Sequence, residues 1–223
     1  MVEPIRVTDP APVRARLAAM REQISEAAHQ AGTDPSAVEI LAATKYVPSE
    51  DLPTLAAAGI QLVGENRAQD LAARAAVHGE LFEWDFIGAL QSRRVRTIVP
   101  NVRLIHSVAS ESALRELDRH RALARSELAI LIEINVAREP GKSGILPEEL
   151  DTYLEHTPMP VVGLMCMPPL APDPENSRRW FAALRELAAA RDLPQLSMGT
   201  SQDYLVAVQE GATIVRIGTS LYS

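Results

Sequence analysis

Cysteine is nearly absent: Cys166 is the single one in 223 residues, so no intramolecular disulfide can form and a reducing compartment is the natural setting. An excess of basic charge is missing too. The formal net charge is −7, which argues against a duplex nucleic-acid partner, since that would favour a basic face. No apolar segment approaches the ~20 residues of a membrane span. The N-terminal stretch MVEPIRVTDPAPVR carries acidic residues and prolines where a secretory signal would be apolar. A cytoplasmic location with no membrane association is therefore expected. No Gly/Ser-rich or Pro-rich linker divides the chain, so residues 1–223 are expected to form a single domain. With 23% charged and 47% hydrophobic residues, an ordinary globular protein is the natural class.

What is present is an alternation of short β-branched runs with longer amphipathic ones. Residues 9–31 read as a helix: Asp9 before Pro10 suits a start, and Val13, Leu17, Met20, Ile24 and Ala27 recur at helical spacing up to Gly32. Eight candidate strands follow, near 38–44, 61–63, 84–87, 104–107, 128–134, 160–165, 195–198 and 213–217. Between them lie helical patterns at 51–58, 66–78, 92–98, 110–125, 147–156, 174–191 and 202–210. The strand runs are largely continuous in apolar character, as in parallel strands covered on both faces. Eight such strands in strict alternation with helices predict an α/β fold, a (β/α)₈ TIM barrel with an extra N-terminal helix. An open doubly wound sheet would use the same elements.

In such a barrel, function belongs to the loops after the strands. Strand one ends in Lys45; strand two runs through Gly64, Glu65 and Asn66 into a helix; strand seven ends in SMGTSQD, with Ser201 read as an N-cap; strand eight ends in VRIGTS. Loops after strands seven and eight often hold phosphate, and here they offer Gly199, Thr200, Ser201, Gly218, Thr219 and Ser220. Glycine and serine equally make tight turns. Arg216, two residues before Gly218, shares its face and should be partly buried; a salt bridge to Glu39 or Glu133 would satisfy it structurally. Lys45 reads either as a strand-end lysine reaching solvent or as a desolvated amine able to form a Schiff base. Taken with a phosphate cradle, the second reading points to a phosphorylated aldehyde cofactor, with small Ala42 and Ala43 leaving room for a planar ring.

Other signals carry less. EPGKSG lacks the first glycine of a P-loop, because Val136 stands there. QSRRVRT reads as a solvated face, Cys166 as a buried bystander, and the five histidines show no metal-ligand spacing; His106, at a strand end, reads as a residue that orients a loop.

The ordered set AATKYVP, VGENRAQD, WDFIGALQS, IHSV, GKSG, GLMCM, SMGTSQDY and VRIGTS resembles the pyridoxal 5′-phosphate homeostasis proteins, single-domain relatives of the alanine racemase barrel. The resemblance spans the chain from about residue 38 onward. It implies pyridoxal 5′-phosphate held as an aldimine on Lys45, phosphate bound by Ser201, Gly218 and Thr219, Arg216 facing the pyridine nitrogen, and Asn66 near the ring. The chain departs from the family pattern at Thr44 (usually Ser), Ala89 and Arg93 (usually Pro and Asn) and Thr200 (usually Met), and it ends at SLYS, short of a Phe-Gly tail.

An arginine opposite the ring nitrogen disfavours ring protonation and weakens the electron sink that carbanion chemistry needs. Racemases of this fold add a tyrosine base from a second domain, for which this chain has no residues to spare. The implied function is intracellular homeostasis of the cofactor: holding it, buffering it or delivering it to pyridoxal-phosphate-dependent apo-enzymes, from an open-mouthed monomer, with little catalysis. Two alternatives stay open: an amino-acid racemase that borrows its base from a dimer partner, and a Schiff-base aldolase that needs no cofactor.

Overall fold

The computed structural model describes residues 3–222. Eight parallel strands, β1 (Glu39–Ala43), β2 (Leu62–Glu65), β3 (Glu83–Phe86), β4 (Leu104–Val108), β5 (Ala129–Glu133), β6 (Val161–Met165), β7 (Gln195–Thr200) and β8 (Ile214–Ile217), pair in chain order into a closed barrel. Closure is made by β8 against β1, with Ile214 opposite Glu39 and Ile217 opposite Ala42. Because that pairing leaves no free edge, the open-sheet alternative is excluded.

The extra N-terminal helix is α1 (Pro10–Ala31). Asp9 Oδ1 accepts the Ala11 N–H at 2.9 Å, and Gly32 ends the helix in the left-handed conformation. Helices α2 (Leu52–Ala57), α3 (Ala68–His78), α4 (Val95–Ile98), α5 (Glu111–Arg119), α6 (Leu150–His156), α7 (Arg178–Ala189) and α8 (Tyr204–Gln209) fill the crossovers. A last turn, α9 (Thr219–Tyr222), follows β8, and α1 packs beside both α8 and α9. The predicted helix over 110–125 is shorter than expected. Its buried stripe, Ala113, Leu114 and Leu117, is not continued by His120 and Arg121, so α5 stops at Arg119 and a 3₁₀ turn follows at Arg121–Leu123.

Two cores result from the period-two alternation of the strands. The larger lies between barrel and helices; the smaller fills the barrel itself with Leu41, Leu62, Leu104, Leu131, Met165 and Ile214. Ala42 belongs to the outer core, so of the two small residues only Ala43 shares the interior face with Leu41. Two residues beyond Leu104, Leu131 and Ile214, the same inward face carries His106, Glu133 and Arg216, all buried. The interior thus changes from apolar to polar toward the C-terminal ends of the strands. No helix among the described residues is long and apolar enough to cross a membrane.

Candidate functional site

The mouth at the C-terminal ends of β7, β8, β1 and β2, four consecutive strands of the barrel, gathers Ser201, Arg216, Gly218, Thr219, Lys45 and Asn66. Lys45 sits in a tight turn after β1 and is exposed, as the solvent-reaching reading of a strand-end lysine has it; its Nζ lies 4.7 Å from the centre of the Tyr46 ring.

The turn is held from several sides. Val47 N–H donates to Thr44 O at 2.9 Å, closing it. One Arg74 guanidinium donates to Thr44 O at 3.0 Å and to Val47 O at 2.8 Å, and is ion-paired to Glu65. Glu65, buried on the outer face of β2, also accepts the Thr44 hydroxyl at 2.6 Å. Burial pushes its carboxyl above the ordinary glutamate range, and the Arg74 cation opposes that. From the N-terminal segment, Ile5 N–H donates to Tyr46 O at 2.8 Å; from α9, the Tyr222 hydroxyl reaches Ala43 O at 3.3 Å.

Asn66 follows β2 at the same rim. Its Oδ1 is buried with no hydrogen-bond partner. Gly88 allows the next loop to press against it, since a Cβ there would fall 2.0 Å from Asn66 O. Across the mouth, Ser201 does not cap α8: Asp203 does the local work, accepting from Thr200 N–H at 2.8 Å, while Ser201 Oγ accepts the Gly218 N–H at 3.2 Å and ties the β7 and β8 loops together. Gly199 makes this bend possible, with φ of 87° and a Cβ position already occupied by Ala207. A Cβ on Gly218 would meet nothing within 4 Å, Thr219 is exposed, and Ser220 Oγ is buried without a partner.

Arg216 is 6% exposed. It has neither of the salt bridges that the sequence allowed: among the described residues no carboxylate lies within ion-pair reach. Instead Nη1 donates to Ser197 O at 2.8 Å and Ser197 Oγ at 2.7 Å, and Nη2 to Cys166 O at 2.9 Å. Burial lowers its affinity for the proton relative to a free guanidinium. Behind it runs a buried series. Ser197 Oγ meets His106 Nδ1 at 2.8 Å, and His106 Nε2 meets Asp85 Oδ2 at 3.0 Å. Asp85 also accepts from Arg103 Nε at 3.0 Å. Burial holds the His106 imidazole below its usual range, hence neutral, so Nε2 carries the proton toward the carboxylate and Nδ1 accepts from Ser197. Ser, His and Asp in hydrogen-bond contact resemble a hydrolase triad, but all three are inaccessible, which rules out nucleophilic attack on a substrate. His106 therefore braces the barrel interior rather than a loop.

Two further sequence signals take structural places. The GKSG segment supplies Ser143, whose hydroxyl donates to Glu133 at 2.8 Å at the end of β5. Burial pushes the Cys166 thiol up to about 12, so it is unreactive, although its carbonyl holds Arg216. Among the described residues no cluster of His, Cys, Asp and Glu could hold a metal ion. Sequence reading missed Arg74 and the Ser197–His106–Asp85 series, because each contact joins side chains on different elements of the fold.

The residues at the mouth fit a small anionic ligand with a planar polar part: a buried guanidinium without an ion pair, a partnerless amide oxygen and hydroxyl, and open space at a glycine stand at neighbouring strand ends. Comparison with known proteins points the same way. Residues 16–223 match the family described as alanine racemase, N-terminal domain. The chain is 38% identical over 218 residues to the pyridoxal phosphate homeostasis protein of Aquifex aeolicus, covering 93% of this chain and 96% of that one. It is 35% identical to the protein of that name from Pseudomonas aeruginosa, over 92% of this chain and 93% of the relative. Among solved structures, PipY of Synechococcus elongatus with PLP bound superposes with a TM-score of 0.80 at 31% identity, over 95% of this chain and all of that one. With a family match over nearly its whole length and relatives above 30% identity, the chain belongs to the pyridoxal phosphate homeostasis proteins, built on the alanine racemase N-terminal barrel.

Proposed function

We propose that this protein binds pyridoxal 5′-phosphate at the barrel mouth, held covalently by Lys45, and keeps it available to apo-enzymes that need it rather than using it for catalysis. The observation that carries the reading is the convergence of Lys45, Asn66, Ser201, Arg216, Gly218 and Thr219 on four consecutive strand ends. A relative with PLP bound supports it.

In this reading the aldehyde of the cofactor condenses reversibly with an amine, releasing water, so one lysine both retains the cofactor and lets it go. Lys45, exposed on its turn, is open to solvent and to incoming amines. Ser201, Gly218 and Thr219 hold the phosphate, Asn66 lies beside the ring, and Arg216 faces the ring nitrogen. A cation there opposes ring protonation and so weakens carbanion stabilisation. Neither Tyr204 nor Tyr222 stands ready as a second base. The hydroxyls of Tyr204 and Tyr222 are engaged with Gln23 at 2.5 Å and Ala43 O at 3.3 Å, and burial raises the pKa of both.

The test is the visible spectrum of the purified protein, alone and with added cofactor. Wild type should be yellow, and borohydride should fix the cofactor's mass on Lys45; Lys45→Ala should lose both properties. A wild-type protein that stays colourless in excess cofactor would remove this reading. Rapid α-proton exchange in a panel of amino acids would replace it with the racemase.

A further inference from the structure

We infer that Arg74, locked by Glu65, is the positioning residue for Lys45 and thereby sets how long the protein retains its cofactor. This inference rests on the proposed function. It concerns a part of the fold that touches neither phosphate nor ring.

The geometry is that of a clamp on the two ends of one turn. Thr44 and Val47 are its first and last residues, and Lys45 and Tyr46 lie between them. The Arg74 guanidinium donates to the carbonyls of both ends, at 3.0 and 2.8 Å. Because its nitrogens form a rigid planar fork, two acceptors bound to it keep a fixed separation, which a lysine ammonium on a flexible stem cannot impose. The fork itself is fixed by the ion pair with Glu65, which also holds the Thr44 hydroxyl at 2.6 Å. Thr44 is therefore restrained at its carbonyl and its side chain together. Arg74 rises from α3 and Glu65 ends β2, so the turn is tied to the barrel wall and its covering helix, both rigid elements.

A reversible covalent link reforms at a rate set by the local concentration of the amine at the aldehyde, and a pinned backbone keeps that concentration high. Loosen the turn, and each opening of the link is more often followed by escape. Arg74 acts on this step without contacting the cofactor.

The experiment uses the full-length chain. Wild type, Arg74→Met, Arg74→Lys and Glu65→Gln are loaded with pyridoxal phosphate and freed of excess. Release into excess semicarbazide is then followed as loss of the visible absorption. An Arg191→Met control removes a guanidinium in the turn after α7, paired to Asp151 away from the mouth. Arg74→Met should release about tenfold faster, the effect of losing hydrogen bonds from a charged donor. Arg74→Lys should fall between it and wild type, Glu65→Gln should also release faster, and Arg191→Met should match wild type. Amide hydrogen exchange across residues 44–47 should quicken in the same order.

Release from Arg74→Met at the wild-type rate would overturn the inference while leaving the proposed function intact. Equal acceleration by Arg191→Met would overturn it too, by showing a general loss of stability. If Arg74→Met does not fold, Arg74→Lys and Glu65→Gln decide, and wild-type rates in both would overturn it. A wild type that takes up no cofactor fails earlier, and there the proposed function falls first.

Discussion

Two buried charges lie near the barrel mouth, and the protein treats them oppositely. Glu65, on the outer face of β2, meets a cation and a hydroxyl; Arg216, on the inner face of β8, meets two carbonyls and a hydroxyl, and feels Glu133 and Asp203 only at longer range, without an ion pair. Both have been taken from water at a cost. The outer charge is closed off by its partner and supports the wall. The inner one has no ion pair and only longer-range attraction from Glu133 and Asp203, and that marks the face where an anion or an electron-rich ring is welcome. Burial alone would not separate the two; the state of pairing does.

That contrast can be broken or sharpened by measurement. The largest effect is expected from Glu65→Ala, which strands Arg74 and frees the Thr44 hydroxyl: urea unfolding should show a loss of about 3 kcal/mol, as when one member of a buried pair is removed. Arg216→Gln should cost less, about 1 kcal/mol, because the charge-assisted hydrogen bonds lost to Ser197 and Cys166 are offset by removing a buried cation that has no ion pair. If Arg216→Gln costs as much as Glu65→Ala, the contrast fails. In loaded protein, Arg216→Gln should instead move the colour change of the bound cofactor to higher pH, because the cation that opposed ring protonation is gone. A spectrophotometric titration with no shift would count against placing Arg216 at the ring.

The third effect depends on pH. Burial holds His106 below the ordinary histidine value of about 6.5. As pH falls below that value the unfolded chain takes up a proton that the folded chain refuses, so the stability present above pH 6.5 is progressively lost. Glu65 and Glu133, both raised by burial, act in the opposite direction. Their neutral forms stabilise fully below the unfolded value, and that contribution disappears as pH rises through the folded one. Comparing wild type with His106→Gln isolates the histidine: between pH 6.5 and 5 the variant should lose a slope of up to about 1.4 kcal/mol per pH unit. Identical slopes would show that His106 titrates normally. The smallest effect belongs to the exposed pair Arg138–Glu148, where Arg138→Gln should leave the thermal midpoint unchanged.

The fold was legible because each strand is a local run of apolar residues and eight of them alternate with helices; their bounds shift by at most two residues. Closure came from the count rather than from any single segment. Lys45, Arg216 and Ser201 were legible as strand-end residues, since the period of two and the barrel rule say which ends matter. The support around them was not. Ser197 and His106 are separated by 91 residues and Arg216 and Cys166 by 50, so only the closed barrel brings each pair together. Arg74 illustrates the same limit at shorter range: nine residues from Glu65, it looked like one more arginine on a helix. The exposure of Lys45 was one of two readings left open, because a strand-end lysine reads alike whether its turn faces water or the core.

The attachments of Ile5 to Tyr46 and of Tyr222 to Ala43 also bear on the order of assembly. The lysine turn is fastened by two residues far apart in sequence, Ile5 and Tyr222, so its final form waits on α9, which follows β8. Nascent chains that lack Tyr222 should expose a looser turn, which limited proteolysis of stalled fragments would register as cleavage near residue 46. On the proposed function, retention of the cofactor would then depend on the docking of α9 against β1.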